Sequence, residues 1–202
     1  MCVLSQIKTY YRKNDSGRVA QGDILKDIIL IEWDIGGSDP DEYKYDPREL
    51  PYVVIISQDC DLLSDYKNRQ EINAEKHDAY LQSILICPAY IAADLRAGTH
   101  LSEFKLIMQN KNSKKYDAIK LNQDPRYHFL QGDPTFQIPE LVVDFKHYYT
   151  LPRNYVYNLY KLDKSVASLN ELFRESLCQR FSFYLSRIGL PVLPECSNEQ
   201  VA

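Results

Sequence analysis

The sequence predicts an α+β domain, with short and mostly antiparallel strands followed by one long C-terminal helix. Three observations carry this. Branched and aromatic residues recur in short runs, as in Ile28–Trp33 and Tyr52–Ile56. Turn residues separate those runs. The clearest helical period lies near the C-terminus. The chain has 202 residues, which fits a single domain with room for a sizeable core.

Taken in order, Asp15-Ser16-Gly17 reads as a turn, and Gly22 provides a tight entry into a strand over Ile28–Trp33. Ile35 to Leu50 reads as a loop, because it holds two Gly and two Pro with acidic residues between them. Pro51 to Ile56 is apolar without alternation, so it predicts a strand covered on both faces. Leu62 to Gln82 is polar and lacks a clean apolar stripe. Ser83 to Pro88 predicts a third strand ended by its proline, which cannot donate to a ladder.

Tyr90 to Leu95 predicts a short helical turn broken at Gly98, and Leu101 to Met108 a helix. Asn110 to Asp117 reads as a basic turn. Strands are expected over Arg126–Leu130, Leu141–Tyr149 and Tyr155–Leu162. Ser168 and Glu171 have capping-box spacing. Leu169, Leu172, Phe173, Leu177, Phe181, Tyr184, Leu185 and Ile188 then form a stripe, which Gly189 and Pro191 close. The expected helix spans 168–189, with Arg174, Arg180 and Arg187 on a solvated edge.

The net charge of −4 argues against strong whole-surface attraction to nucleic acid, while leaving room for a local basic groove. No apolar run approaches the roughly 18 residues of a membrane helix. The first residues lack the long apolar stretch of a signal peptide. The five cysteines are scattered without a CxxC pair, which fits a reducing cytoplasm better than a disulfide framework or a zinc ribbon. No cofactor motif appears. The 16 tyrosines point to a half-buried sheet surface or an aromatic interface.

The densest set of reactive groups is Ser57-Gln58-Asp59-Cys60-Asp61, directly after the second strand. Gln58, Asp59, Cys60 and Asp61 are therefore candidate site residues. A thiol flanked by carboxylates is held back, because negative neighbours raise its pKa. In an extended stretch Asp59 and Asp61 point the same way, and with Asp144 or a histidine they could hold a cation. The alternative is a scaffold, with Asp59 capping a turn and Cys60 filling core. Asp144 is a second candidate, being a carboxylate between apolar neighbours, on one strand face with Lys146 and opposite His147. Aromatic and basic residues interleave at Tyr10–Lys13, Arg126–Phe129 and Lys146–Tyr149, the ingredients of a single-strand nucleic-acid surface.

One order of segments stands out. Gly22-Asp23-Ile24-Leu25 opens a strand, and a loop with Gly and Pro follows. PYVVIISQD over 51–59 and SILICPAY over 83–90 come next. This order resembles PemK/MazF-type proteins, small SH3-like β-barrels, over about residues 20–90. The resemblance implies a partly open SH3-like barrel of five to seven strands over about 20–162, packed by the C-terminal helix. It also implies a metal-independent endoribonuclease. In that family the catalytic arginine directly precedes the proline of the second strand. Leu50 stands there in this chain, and Arg48 lies two residues earlier. The family's Thr or Ser after the third-strand proline is replaced by Ala89.

On this reading Arg48 is the candidate for phosphate charge, and Asp59 or His128 for proton transfer. The rest of the chain resembles uncharacterised bacterial proteins of mobile-element and phage-defence loci. Three functions stay open. One is a binding or assembly component of a conflict system, engaging a neighbour-encoded protein, RNA or DNA. The others are a MazF-like ribonuclease and a metal- or thiol-dependent hydrolase centred on Gln58–Asp61. No membrane partner is expected, and oligomerisation stays open.

Overall fold

The computed structural model describes residues 10–34, 44–71 and 76–187. Its strands are β1 (Tyr11–Arg12), β2 (Asp23–Asp34), β3 (Lys44–Ile55), β4 (Ser83–Ile91), β5 (Tyr127–Leu130), β6 (Leu141–Asp144), β7 (Tyr149–Pro152) and β8 (Ser165–Leu169). Its helices are α1 (Asp59–Asn68), α2 (Ala92–Ala97), α3 (Ser113–Lys120), α4 (Arg153–Lys161) and α5 (Glu171–Leu185). The fold is α+β. The strands form one antiparallel sheet in the order β1-β8-β2-β3-β4-β6-β5, with β7 also paired to β4.

The sheet is open and curled into a half-barrel. Its two end strands approach each other, and the Tyr11 hydroxyl donates to the Gln131 carbonyl at 2.6 Å. Alternation along each strand divides the core in two. Leu25, Ile28, Val53, Ile55, Ile86, Tyr90 and Val142 face α1 to α4, meeting Leu62, Leu95, Ile119 and Val156. Ile24, Val54, Cys87, Ala89, Val143 and Leu169 face the other way and pack on Leu177 and Phe181 of α5. Among the described residues no helix is long and apolar enough to cross a membrane.

Several expectations change in the fold. The described sheet has eight strands and takes in β1 and β8, outside the 20–162 interval. The loop expected to Leu50 gives way at Lys44, where β3 begins and pairs with β2 from Asp34↔Lys44 inward. Residues 35–43 of that loop lie outside the described residues. Pairing with β2 overrides the weak strand preference of residues 44–50. Tyr155–Leu162 lies in helix rather than strand, because Val156 and Leu159 are spaced to bury one helical stripe. Leu101–Met108 condenses to a single 3₁₀ turn at Ser102–Phe104. The basic turn over Asn110–Asp117 instead starts α3, whose cap Asn112 accepts the Lys115 N–H at 3.0 Å.

The C-terminal helix also starts later than expected. Ser168 and Leu169 are strand residues paired with Arg12 and Tyr11, and Asn170 is the N-cap. The end expected at 188–189 lies outside the described residues. Arg180 is no solvated edge residue, since its guanidinium donates to the carbonyls of Asp124 and Tyr127 and ties α5 to β5.

Pro88 does not end its strand, which runs on to Ile91. It pairs with Val53 on one side. On the other side the partner strand breaks, with β7 pairing up to Ile86 and β6 resuming at Ala89. The Phe145–His147 3₁₀ turn fills that interval. A proline offers no N–H there, so a continuous ladder would lack a donor. The strand expected over Leu141–Tyr149 is split for this reason, and the predicted placing of Asp144 and Lys146 on one face is lost with it.

Two glycines hold tight passages. Gly22 has φ +84°, and a Cβ there would stand 3.0 Å from the Arg174 side chain. Gly98 caps α2 at φ +81°, where a Cβ would stand 2.3 Å from the Met108 carbonyl oxygen.

Candidate functional site

The Gln58–Asp61 segment is not an extended loop. β3 ends at Ile55, Gln58 adopts extended N-cap geometry, and Asp59-Cys60-Asp61 form the first turn of α1. The two carboxylates are therefore about 200° apart around the helix, rather than on one side of a strand. Acidic residues suit this position, because the first turn carries unsatisfied N–H groups and the positive end of the helix dipole.

Asp59 is fixed by long-range partners. Both of its oxygens accept from the Arg18 guanidinium, at 2.9 and 2.8 Å. Its Oδ1 also accepts the Gln21 N–H at 3.2 Å. Gln21 in turn donates its side-chain amide to the Ile56 carbonyl at 3.0 Å, and the Ser57 hydroxyl accepts the Leu85 N–H at 2.8 Å. The Arg18 fork and the Gln21 N–H hold the Asp59 carboxyl below the usual range, against the opposing effect of burial. This carboxylate is a strut between the turn before β2 and the start of α1.

The helix start opens on a cleft of about 570 Å³ between α1, the end of β3 and α5. Gln58, Asp59, Cys60 and Asp61 all line it, facing Arg174, Cys178 and Ser182 of α5. Cys60 is exposed, with its sulfur 3.6 Å from Gln58 Oε1 and 3.7 Å from Asp61 Oδ1. Burial pushes the Cys178 thiol up to about 12, so it stays protonated at neutral pH. Arg174 donates to Glu175 at 2.9 Å, while its buried Nε has no partner among the described residues. Among the described residues no histidine lines the cleft.

The other candidates lie elsewhere. Arg48 is on β3, 3.4 Å from Asp46 and stacked 4.9 Å from the Phe104 ring centroid. His128 and Asp144 sit on adjacent strands but face opposite ways, since His128 pairs with Val143 and Asp144 with Tyr127. Asp144 is fully buried and takes a bidentate fork from Arg126 at 2.8 and 2.6 Å, plus the Lys146 N–H at 3.0 Å. His147 Nδ1 stands 3.2 Å from Asp144 Oδ2. Burial pushes the Asp144 carboxyl up, but Arg126 and His147 outweigh it and bring it down to about 2. His128 is 3% exposed, and burial together with Arg180 pulls it down to about 3, so it is neutral.

Among the described residues no three His, Cys, Asp or Glu side chains gather to hold a metal ion. The cation site expected from Asp59, Asp61 and Asp144 is thus not assembled.

Sequence reasoning missed Arg18 as the partner of Asp59, and also Asp65. Asp65 is buried beneath Arg69 at 2.6 Å and Arg153 at 2.8 Å, linking α1 to α4. These partners lie up to 88 residues apart. The i,i+4 spacing of Asp65 and Arg69 is the one local signal that could have shown part of this network. No known family model matches the chain, and no curated protein matches it significantly.

Proposed function

We propose that this protein acts by binding: it is a binding or assembly component of a bacterial conflict system, and its half-barrel is an SH3-like module that holds a partner. One observation carries the reading. Asp59, the acid at the head of the most reactive segment, spends both oxygens on Arg18 and the Gln21 N–H. A general base must be free to take a proton from substrate, whereas a strut must not. Arg48, His128 and Asp144 support the same reading, since Arg48 sits on β3 beside Asp46 while His128 and Asp144, on neighbouring strands, face opposite sides of the sheet. The conflict-system setting rests on the sequence resemblance and the SH3-like identity on the resemblance together with the curled sheet.

The test has two arms. The purified protein is incubated with single-stranded RNA, with and without divalent metal, alongside Arg48→Ala. It is also used as bait in a native pull-down with proteins encoded beside it. Binding without turnover, with a stoichiometric co-purifying partner, is the expected result. Metal-independent cleavage that disappears in Arg48→Ala would overturn the proposal in favour of a MazF-like ribonuclease.

A further inference from the structure

The curled sheet brings together two of the aromatic–basic segments that lie far apart in the sequence. Tyr10, just before β1, and His128-Phe129 of β5 line one pocket of about 300 Å³ at the seam between the sheet's end strands. Phe173 of α5 packs against Tyr10, with ring centroids 3.9 Å apart, so the two rings form one continuous aromatic wall. Asn122, Gln131 and Lys120 supply polar groups on the remaining sides. The volume is at the small end for a ligand site and suits one ring system rather than an extended ligand.

Only part of this polar capacity is spent internally. Asn122 accepts the Phe129 N–H through Oδ1 at 2.7 Å, which leaves its Nδ2 as a donor. The exposed Gln131 amide bonds to no described residue, although its backbone carbonyl takes the Tyr11 hydroxyl. His128 Nδ1 is buried and has no hydrogen-bond partner among the described residues. A buried imidazole nitrogen left unpaired is costly, and His128 is one of the residues that line this pocket. Burial keeps this imidazole neutral, so it offers one donor and one acceptor. Lys120 places its amine 5.5 Å from the Phe129 ring centroid and 3.7 Å from Glu140, with 41% of the side chain open to solvent.

We propose that this seam pocket binds a nucleobase. Tyr10 and Phe173, packed on each other, supply one aromatic wall for the ring to lie against, His128, Asn122 and Gln131 read its edge, and Lys120 meets an attached phosphate. Aromatic walls with amide and imidazole groups are the chemistry that recognises a planar heterocycle bearing donors and acceptors. The proposal deepens the binding reading above and rests on it. The base can belong to a free nucleotide or to a single strand, and the test separates the two.

The full chain is titrated calorimetrically with each of the four nucleoside 5′-monophosphates, with a single-stranded oligonucleotide and with inorganic phosphate. Saturable binding of at least one monophosphate assigns a free nucleotide. Binding of the oligonucleotide alone assigns a strand. Gln131→Ala and His128→Leu should each weaken that binding roughly tenfold, the scale of one lost hydrogen bond in a desolvated site. His128→Leu should do so without lowering the thermal midpoint, because it removes an unsatisfied buried group; Gln131→Ala, at an exposed residue, decides the matter if His128→Leu fails to fold. Inorganic phosphate binding as tightly as nucleotide, no binding at millimolar concentration, or binding unchanged in both variants would overturn the assignment. A partner protein still captured by a chain that binds no nucleotide would leave the binding reading standing and remove this pocket from it.

Discussion

At the scale of single residues, ionisable groups here act mainly through their long-range partners. Asp144 shows the size of this. Its folded pKa of about 2 lies below an unfolded value near 4, so its ion pair contributes stability that is fully present above about pH 4. That contribution, on the order of 2 kcal/mol, is lost as the pH falls toward 2. Asp59 is shifted in the same direction. Urea midpoints measured from pH 7 downward should therefore fall across the acid range. The fall should be blunted in Asp144→Asn, whose starting stability is already lower.

The thiols differ in a way that labelling can read. Cys60 is exposed, whereas burial pushes Cys87 and Cys178 up and withholds their thiolates. Limited iodoacetamide treatment followed by peptide mapping should mark Cys60 before either of these two. Equal labelling of Cys60 and Cys178 would contradict the described cleft.

At the scale of elements, local signals fixed type where one face repeated and failed where partners decided. Leu177 and Phe181 show the helical stripe of α5 in the sequence, yet the capping pattern puts its start too early, because Ser168 suits a cap as well as its paired place in β8. The tyrosines of α4 favour a strand in the sequence, while its buried residues, Val156 and Leu159, are only two in number and leave the helical period faint. The helix stop at Gly98 was legible from its type alone, and it is also a demanding position. Gly98→Ala should destabilise the protein by more than about 1 kcal/mol, since it adds both a left-handed backbone penalty and a clash with Met108. Chemical denaturation would measure this, and a neutral result would show that the Met108 strand of chain yields freely.

At the scale of the whole molecule, the curl of the sheet decides which residues meet. It places Tyr10 beside His128 and brings the Tyr11 hydroxyl to the Gln131 carbonyl, residues 120 positions apart. Tyr11→Phe keeps the ring in the core and removes only this bond, leaving the carbonyl unpaired. It should cost about 1 kcal/mol by thermal or urea unfolding, and it should raise amide exchange at the seam more than in β3. Uniform exchange would mean that the seam is held by α5 alone.

The sequence by itself determined the α+β class, the strands around Ile28 and Val53, the turn at Gly22 and an apolar stripe for a late helix. Those features follow from period, branching and backbone freedom, which act over a few residues. It also located the Gln58–Asp61 cluster. Only the tertiary structure decided that Asp59 is a strut, that Pro88 breaks its neighbour rather than its own strand, and that His128 and Asp144 face apart. Charge pairing and sheet register depend on residues tens of positions away, and no local pattern encodes that distance.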